Sequence, residues 1–332
     1  MTRPGKATIT DIAKRVNMTT VTVSRALNQP EKVKKQTLEL ILKVARELNY
    51  VPNAFARNLK NRESRLFGLV TASLENPFYG EVIKAITREA KKRDYTLMLF
   101  DTDGSAELEA RAIDTLLSYQ VAGVILSAVS DDDQYQPDYL SKLQHAGLPV
   151  VQIDRRLARA PFAGVYLDNE QSGYQGARAL LAQGLRHLLV VAGPQRSNIS
   201  LSRLAGIRRA LEQWPEPTTL EVVHGDYNQA PARDAVRAYL LGGKRPEAIF
   251  GLNALMTLGA LQAMREAGLS RSDIALFSID QVHYADIYGD PIPCVSHSTA
   301  HLGIGAIDLL LRQIDDPSKA VEDLVVEGRL LL

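Results

Sequence analysis

A short polar run near the amino terminus has the residue types that proteins use to read DNA. Thr19 is a candidate helix N-cap, and Val23, Ala26 and Leu27 follow it with helical spacing, which predicts a helix with one buried stripe. At about 100° per residue, the side chains that point away from this stripe are Thr20, Val21, Ser24, Arg25 and Asn28. Arg25 suits the O6 and N7 atoms of guanine. Hydroxyl and amide groups suited to phosphates occur at Thr19, Thr22, Ser24 and Asn28.

Two further helices are predicted beside this one, between Thr8 and Asn49. Thr8 and Asp11 have capping-box spacing, so a short helix begins there. A third helix, from about Lys34 to Leu48, has an apolar side formed by Leu38, Ile41, Leu42, Ala45 and Leu48. Two short helices joined by a tight turn, with a third that closes the core, indicate a helix-turn-helix unit. Three-helix units also bind proteins, so periodicity alone leaves that alternative open.

Charge is distributed unevenly along the 332 residues, although the net charge is only +1. Residues 1–65 contain 14 Lys and Arg against 5 Asp and Glu, a balance of +9, which leaves −8 for the rest of the chain. Each cation placed near a phosphate releases condensed counterions, so the basic segment favours a polyanionic partner such as DNA. A solvated basic helix surface is the alternative.

The remaining chain has the alternation of apolar runs and amphipathic stretches that is typical of parallel α/β sheets. Nine β-type runs occur: RLFGLVTAS, YTLMLFDT, GVILSAV, LPVVQID, AGVYLD, HLLVVAGP, TLEVVHGD, AIFGLN and IALFSID. They predict two similar lobes divided near Ala163, with a cleft between them. A single cysteine, no signal peptide and no apolar run of membrane-spanning length predict a soluble, cytoplasmic protein that does not enter a membrane.

The stretch TITDIAKRVNMTTVTVSRALNQPEKVKKQTLELILKVARELNYVPNAFARNLK resembles the headpiece of the lactose-repressor/galactose-repressor family, including its VSR and NYVPN segments. The resemblance implies that Thr20, Val21 and Arg25 read bases in the major groove. It also implies a hinge helix from about Asn53 to Asn61 that enters the minor groove, where Leu59 is the apolar wedge. Lys60 resembles the minor-groove lysine of the purine-repressor branch. An apolar wedge beside a cation agrees with the physics of DNA kinking.

The resemblance extends over the rest of the chain and implies the full architecture. An all-α three-helix helix-turn-helix headpiece (1–52) and a hinge helix with linker (53–64) precede an α/β core (65–332). The core is a two-lobe, periplasmic-binding-protein-like unit with parallel sheets. Crossings near Ala163, Val295 and Val325 give a first lobe of about 65–163 and 296–325 and a second of about 164–295 and 326–332.

Ligands of open parallel sheets lie beyond the carboxyl ends of the strands, which directs the search to a few loops. By resemblance, Arg203 grips the ligand, Asp280 accepts its hydroxyls, Tyr227 stacks on it and Asn253 is a polar contact. The NPFY segment contributes the aromatic side chains of Phe78 and Tyr79. The predicted effector site is completed by Ser127, Arg155, Arg196 and His297.

Two departures from the family pattern bear on the ligand. Asn253-Ala254 stands where relatives have a pair ending in Asp, and His297 stands where several have Gln. A missing carboxylate and an added histidine, with arginines nearby, favour an anionic ligand such as a sugar acid. The chain is also similar to repressors of 2-ketogluconate utilisation. A structural role for His297, and a neutral sugar or purine as the ligand, are alternatives.

Enzyme signatures are absent from the sequence: there is no G-x-S-x-G elbow and no Walker A motif. Six scattered histidines and one cysteine suggest no metal site, and no cofactor is predicted. The expected protein is a ligand-responsive repressor that binds palindromic operator DNA as a homodimer, with a sugar or sugar-acid effector acting as inducer. The ending VVEGRLLL, without a tetramerising heptad helix, favours a dimer. A sugar-binding module whose headpiece binds a protein, and a sugar-metabolising enzyme, are the rival classes.

Overall fold

The computed structural model describes residues 7–51, 64–285, 287, 291–317 and 322–332. The chain forms two compact units, Met1–Glu63 and Ser64–Leu332, whose boundary lies at the end of the segment predicted as hinge and linker (53–64). The predicted hinge helix, including Asn53, Leu59 and Lys60, lies outside the described residues. Within the part of the chain that is described, no helix has the length and apolar character needed to cross a membrane.

The headpiece contains three α-helices around a small apolar core, as predicted. They are α1 (Ile9–Arg15), α2 (Thr20–Asn28) and α3 (Lys35–Glu47), with a short 3₁₀ turn at Pro30–Lys32. Thr8 and Asp11 form the predicted capping box, and Thr19 caps α2. The sequence pattern predicts that Leu42 lies on the buried side of α3. In the structure Leu42 is exposed, and Val44 is buried. The buried stripe of α3 is therefore rotated slightly from the predicted one.

All nine predicted strand runs form strands, and three short strands were not anticipated. The first lobe contains β1 (Leu66–Thr71), β2 (Thr96–Asp101), β3 (Gly123–Leu126), β4 (Val150–Ile153), β5 (Gly164–Leu167) and β11 (Leu324–Val326). The second lobe contains β6 (His187–Ala192), β7 (Thr219–His224), β8 (Ala248–Gly251), β9 (Ala275–Ile279), β10 (Cys294–His297) and β12 (Gly328–Leu331).

Helices cover both faces of the two sheets. The first-lobe helices are α4 (Pro77–Lys92), α5 (Ala106–Ser118), α6 (Tyr139–Ala146) and α11 (Thr299–Asp315). The second-lobe helices are α7 (Asn169–Ala182), α8 (Asn198–Glu212), α9 (Gln229–Leu241) and α10 (Ala254–Glu266). Strand order is β11-β5-β4-β3-β1-β2 in one sheet and β12-β10-β9-β8-β6-β7 in the other, with every pairing parallel except β10 with β12.

The three crossings between the lobes occur a few residues later than the sequence indicated. The predicted crossing near Ala163 precedes β5, yet β5 pairs with β4 and buries its side chains in the first lobe. The crossings lie between β5 and α7, between β10 and α11, and between β11 and β12. The predictions at Val295 and Val325 were therefore also early, because the strand containing each residue still belongs to the lobe that the chain is leaving.

Candidate functional site

The outward face of α2 has the composition predicted for a DNA-reading surface. Thr20, Val21, Arg25 and Asn28 are exposed, and Val21 exposes 58% of its surface. No ion pair forms at Arg25 among the described residues, so its guanidinium is available to a partner. The exposed Val21 offers an apolar contact for a thymine methyl, and the guanidinium of Arg25 can donate two hydrogen bonds to the O6 and N7 atoms of guanine.

The start and end of α2 are held by its own polar side chains. Thr19 Oγ1 accepts a hydrogen bond from the Thr22 backbone N–H at 3.2 Å, and its hydroxyl lies 3.0 Å from that of Thr22. Asn28 Nδ2 donates to the Ser24 carbonyl at 2.8 Å. Thr22 and Ser24 are half-buried. These four residues therefore shape the helix as well as offering groups to phosphates.

In the core, each lobe presents one aspartate at the carboxyl end of a parallel strand. Asp154 follows β4 and Asp280 follows β9, and both have a left-handed backbone, with φ of 62° and 65°. Their backbone N–H groups make equivalent bonds, to the carbonyls of Val165 at 3.0 Å and Val295 at 2.9 Å. The left-handed conformation is uncommon for residues other than glycine, so it marks a place where the fold imposes side-chain direction.

A buried polar pair lies behind each of these aspartates. Ser127 Oγ donates to the Tyr79 hydroxyl at 3.1 Å, and Tyr79 donates to Asp154 Oδ2 at 2.7 Å. On the other lobe, His297 Nδ1 lies 3.1 Å from Asp280 Oδ1 and its Nε2 lies 2.8 Å from Ser172 Oγ. The side chain of His297 has 0% exposure. Ser127 and His297 therefore orient the aspartates and do not line the cavity.

Burial alters the acidity of the first-lobe pair. It raises the pKa of Tyr79, and the nearby charge of Asp154 adds to this effect. Burial also raises the pKa of Asp154, and repulsion from Asp280 contributes in the same direction. The Tyr79 hydroxyl is therefore a proton donor at neutral pH, and the two aspartates lie close enough to repel each other.

Arg203 and Arg155 are the positively charged side chains that line the same pocket as Asp154 and Asp280. Arg203 Nε donates to Asn169 Oδ1 at 2.8 Å, and its Nη1 donates to the Leu252 carbonyl. Arg155 Nη1 donates to the Val129 carbonyl at 2.5 Å. Among the described residues, the second terminal nitrogen, Nη2, of each arginine has no hydrogen-bond partner. Each guanidinium is therefore fixed by the protein and keeps donors for a ligand.

Close packing of α7 on α8 places Arg203 beside Asn169. A Cβ atom added to Gly206 would lie 1.8 Å from the Glu170 carbonyl oxygen, and one added to Gly173 would lie 2.0 Å from that of Arg203. Only glycine fits at these two positions, so the helices approach until Arg203 reaches its partners.

Tyr227 and Asn253 form the wall of the second lobe. Tyr227 has a φ of 62°, and its carbonyl accepts a hydrogen bond from Asn253 Nδ2 at 3.0 Å. Asn253 also caps α10, through a 2.7 Å bond from the Met256 N–H. The guanidinium carbon of Arg155 lies 5.5 Å from the centre of the Tyr227 ring, so the side chains of the two lobes meet here.

The cleft contains two adjoining cavities that share part of their lining. The smaller is called the inner pocket, because it contains both Asp154 and Asp280, and the larger is called the outer cavity. The inner pocket, of about 30 Å³, includes most of the predicted effector residues, namely Phe78, Tyr79, Arg155, Arg203, Tyr227, Asn253 and Asp280. The outer cavity, of about 250 Å³, shares Tyr79, Arg155 and Tyr227 with it. Arg196 lies at this outer cavity, where its Nε forms a 2.8 Å ion pair with Asp132.

Sequence reasoning missed several residues of the site. Asp154 ends the run LPVVQID as Asp280 ends IALFSID, so the position of each acid at the carboxyl end of a parallel strand was a signal that could have found it. Asn169 and Ser172 follow β5 in a segment whose role depends on helix packing, which spacing does not reveal. Asp131, 3% exposed, lies in a run of three aspartates that resembles an ordinary polar loop.

The chain matches two family models over most of its length. The model for bacterial regulatory proteins of the lacI family matches residues 8–53, and a periplasmic binding protein domain matches residues 67–315. The ribose operon repressor of Haemophilus influenzae is 28% identical over 330 residues, covering 98% of this chain and 97% of that protein. The transcriptional repressor PurR of Escherichia coli is 30% identical over 332 residues, covering 98% and 95%.

Solved structures agree with these matches. The lac repressor dimer bound to operator and the anti-inducer ONPF has a TM-score of 0.84 at 26% identity, covering 99% of this chain and 98% of that one. The complex of the transcriptional regulator CelR with cellobiose has a TM-score of 0.72 at 26% identity, covering 98% and 99%. The predicted class, a ligand-responsive DNA-binding repressor and not an enzyme, is confirmed. The chain belongs to the lacI family of bacterial regulatory proteins.

Proposed function

We propose that this repressor binds a palindromic operator as a homodimer, with α2 of each headpiece in a major groove. The exposed Val21 and Arg25 on α2 support this placement, as does the +9 balance of residues 1–65. The lac repressor that shares this fold is a dimer bound to operator. A two-fold symmetric protein recognises two inverted half-sites, which is why the operator is expected to be palindromic. Its site of action would be the cytoplasm.

For the core, we propose a small sugar acid, of the gluconate or 2-ketogluconate type, as the effector. The observation that carries this proposal is the pairing of two fixed arginines, Arg155 and Arg203, with two aspartates, Asp154 and Asp280, around one pocket. This pocket adjoins the cavity of about 250 Å³, which provides the room for the rest of the molecule. Guanidinium groups recognise a carboxylate, whereas carboxylates accept hydrogen bonds from hydroxyls. A molecule with an acid group and several hydroxyls satisfies both sets.

Neutral ligands are the competing effectors, because related proteins are named for them. One relative is a ribose operon repressor, and CelR binds cellobiose. The sequence pattern at His297 favours an anion, but both ring nitrogens of His297 are hydrogen-bonded within the protein. The case for an acid therefore depends on Arg155 and Arg203, and not on the histidine.

We further propose that the effector acts as an inducer by favouring one arrangement of the two lobes. A ligand shifts such an equilibrium only by its difference in affinity for the two states. A coupling free energy of about 1 to 3 kcal/mol would change operator affinity roughly 5- to 150-fold.

Isothermal titration of the full chain with gluconate, 2-ketogluconate, ribose and hypoxanthine tests the effector class without knowledge of the operator. Saturable binding of a sugar acid alone supports the proposal. Binding of ribose or hypoxanthine alone would leave the repressor standing and reject the acid. Enzymatic turnover of the bound acid would contradict the repressor mechanism itself.

A further inference from the structure

We propose that Asp131, a buried carboxylate of the first lobe, is a positioning residue of the effector site. Through Ser197 it couples contact between the lobes to the placement of Tyr227. This inference rests on the proposed function, because it assigns a regulatory contact to the same cleft.

Asp131 belongs to the first lobe and accepts hydrogen bonds from the first turn of a helix in the second lobe. It lies in the loop after β3, and its Oδ2 accepts hydrogen bonds from Ser197 Oγ at 3.0 Å and from the Ile199 N–H at 2.7 Å. Ser197 is the N-cap of α8, so the carboxylate lies at the positive end of that helix. The Asp131 carbonyl also accepts from Asn198 Nδ2 at 2.6 Å. With 3% exposure, this carboxylate is shielded from solvent.

The chain of hydrogen bonds continues from Ser197 into the ligand wall. Ser197 Oγ lies 2.5 Å from the Tyr227 hydroxyl. Because the single Ser197 proton is donated to Asp131, Tyr227 must donate to Ser197. Burial, reinforced by the charge of Asp131, raises the pKa of Tyr227 to about 12, so this hydroxyl keeps its proton at neutral pH. The three side chains therefore form a relay of hydrogen bonds that runs in one direction. Tyr227 donates to Ser197, and Ser197 donates to Asp131.

The carbonyl and part of the ring of Tyr227 are held within the second lobe, so its placement responds to the first lobe through the hydroxyl and through Arg155. Its carbonyl is held by Asn253, and a Cβ added to Gly193 would lie 2.3 Å from its ring. Both constraints come from the second lobe. The bond network through Ser197 to Asp131 joins the ring to the first lobe, and the guanidinium of Arg155 reaches the ring from that same lobe. Separation of the lobes at Asp131 would remove both first-lobe constraints.

A double-mutant cycle on the full chain tests this relay with the effector found by titration. Asp131→Ala should weaken effector binding about 10- to 100-fold. It removes a charged acceptor of two buried donors and lowers the population of the arrangement in which the two lobes are in contact at Asp131. In a Tyr227→Phe background, the same substitution should cost about three- to tenfold less affinity than in the wild type. The bonds from Ser197 and Ile199 across the lobes are still lost, but the part transmitted through the Tyr227 hydroxyl is already absent. Asp131→Asn retains an acceptor oxygen and should recover much of the loss.

Asp133→Ala is the matched control. It removes the same charge from the same loop, but Asp133 is exposed, and among the described residues its carboxylate accepts from Asn198 Nδ2 alone, at 2.8 Å. This bond also joins the lobes but does not lead to Tyr227, so effector affinity should fall far less than in Asp131→Ala. Equal losses from Asp131→Ala with and without the Tyr227 hydroxyl would show that Asp131 merely caps α8, and would overturn the relay.

Hydrogen exchange of the ligand-free protein tests the relay even if none of the four ligands binds. Asp131→Ala should speed exchange both at residues 197–200 and at the backbone around Tyr227. Faster exchange confined to 197–200 would overturn the inference. Failure of the wild type to bind any sugar acid, with coupled exchange still present, would reject the proposed effector while supporting the relay.

Discussion

At the residue scale, the cleft combines opposite charges that are already held in place by the protein. Asp154 and Asp280 are oriented by Tyr79 and His297, and Arg203 is anchored by Asn169. A ligand therefore meets groups whose rotamer freedom has been lost during folding, which lowers the entropic cost of binding. Preorganisation of this kind favours selection among small polar molecules over high affinity for any apolar one.

Arg203→Ala separates effector recognition from DNA recognition. We expect operator affinity to stay at the wild-type value and effector affinity to fall roughly 10- to 150-fold, because charge-assisted hydrogen bonds are lost. Titration of the effector and an operator mobility assay measure the two quantities.

Arg196→Ala is the control for this variant. It removes an equal charge, but from the outer cavity, where Arg196 is paired with Asp132. Its effector affinity should change far less than that of Arg203→Ala. A normal effector response in Arg203→Ala would mean that the pocket has been assigned to the wrong residues.

At the element scale, the sequence was most informative where local chemistry alone decides the structure. The capping box at Thr8 and Asp11 and the cap at Thr19 need only residues three positions apart. Seven of the nine predicted strands are buried along nearly their whole length, as expected for parallel strands covered on both faces, and only the edge strands β2 and β7 are partly exposed. By contrast, β11 and β12 lie at the edges of their sheets with most of their residues exposed or half-buried, and they form because a sheet already assembled offers an edge to pair with.

The same distinction explains the site. Arg203, Tyr227 and Asp280 were predicted by resemblance and do line the inner pocket. The cross-lobe partner Asp131 could not be predicted, because its contacts to Ser197 and Ile199 join residues more than 60 positions apart. Such pairs depend on lobe packing, which one sequence does not report.

The exposed face of α2 gives the prediction for DNA binding. Arg25→Ala should lower the preference for operator over random DNA by about 1 to 3 kcal/mol in each half-site, because a guanine contact is lost. Arg46→Ala, on α3, removes the same charge and should weaken binding to operator and to random DNA by a similar factor. Competition binding at fixed salt measures the ratio. An unchanged ratio in Arg25→Ala would favour a headpiece that recognises a protein.

Glu109, on α5, ties that helix to α6 and to the loop that contains Asp131. Its carboxylate accepts from Tyr139 at 2.6 Å, Tyr135 at 2.7 Å and the Val129 N–H at 2.6 Å. Burial outweighs these bonds and raises the pKa of Glu109 above its ordinary value of 4.5. The folded state therefore binds this proton more tightly than the unfolded state.

The sign of the pH dependence follows from that difference. The contribution of Glu109 to stability is fully present below about pH 4.5 and is lost as pH rises through the folded-state pKa. Relative to Glu109→Gln, the wild type should lose free energy of unfolding between pH 5 and pH 7. Urea unfolding of both proteins across that range measures it. If the difference in free energy of unfolding between the two proteins does not change with pH, ionisation of Glu109 does not destabilise the folded state and the prediction is wrong.

At the scale of the whole molecule, three crossings join the two lobes, so a ligand in the cleft acts on both sheets at once. Each crossing lies directly after a strand, at Leu167, His297 and Val326. The segments between the lobes are therefore short, and they restrict relative motion to a hinge or a shear of two preformed bodies. The binding energy of a ligand that contacts both lobes is then expressed as a change in their relative arrangement.

Reciprocity is the quantitative consequence for the full repressor. If the effector lowers operator affinity by a given factor, the operator must lower effector affinity by the same factor, expected at roughly 5- to 150-fold. Effector titrations with and without saturating operator, compared with operator titrations with and without saturating effector, measure the two factors independently. Asp131→Ala should reduce both factors together, because it disturbs the lobe contact and leaves α2 untouched. A factor of one in both directions would remove the effector from the control of DNA binding, whichever small molecule occupies the cleft.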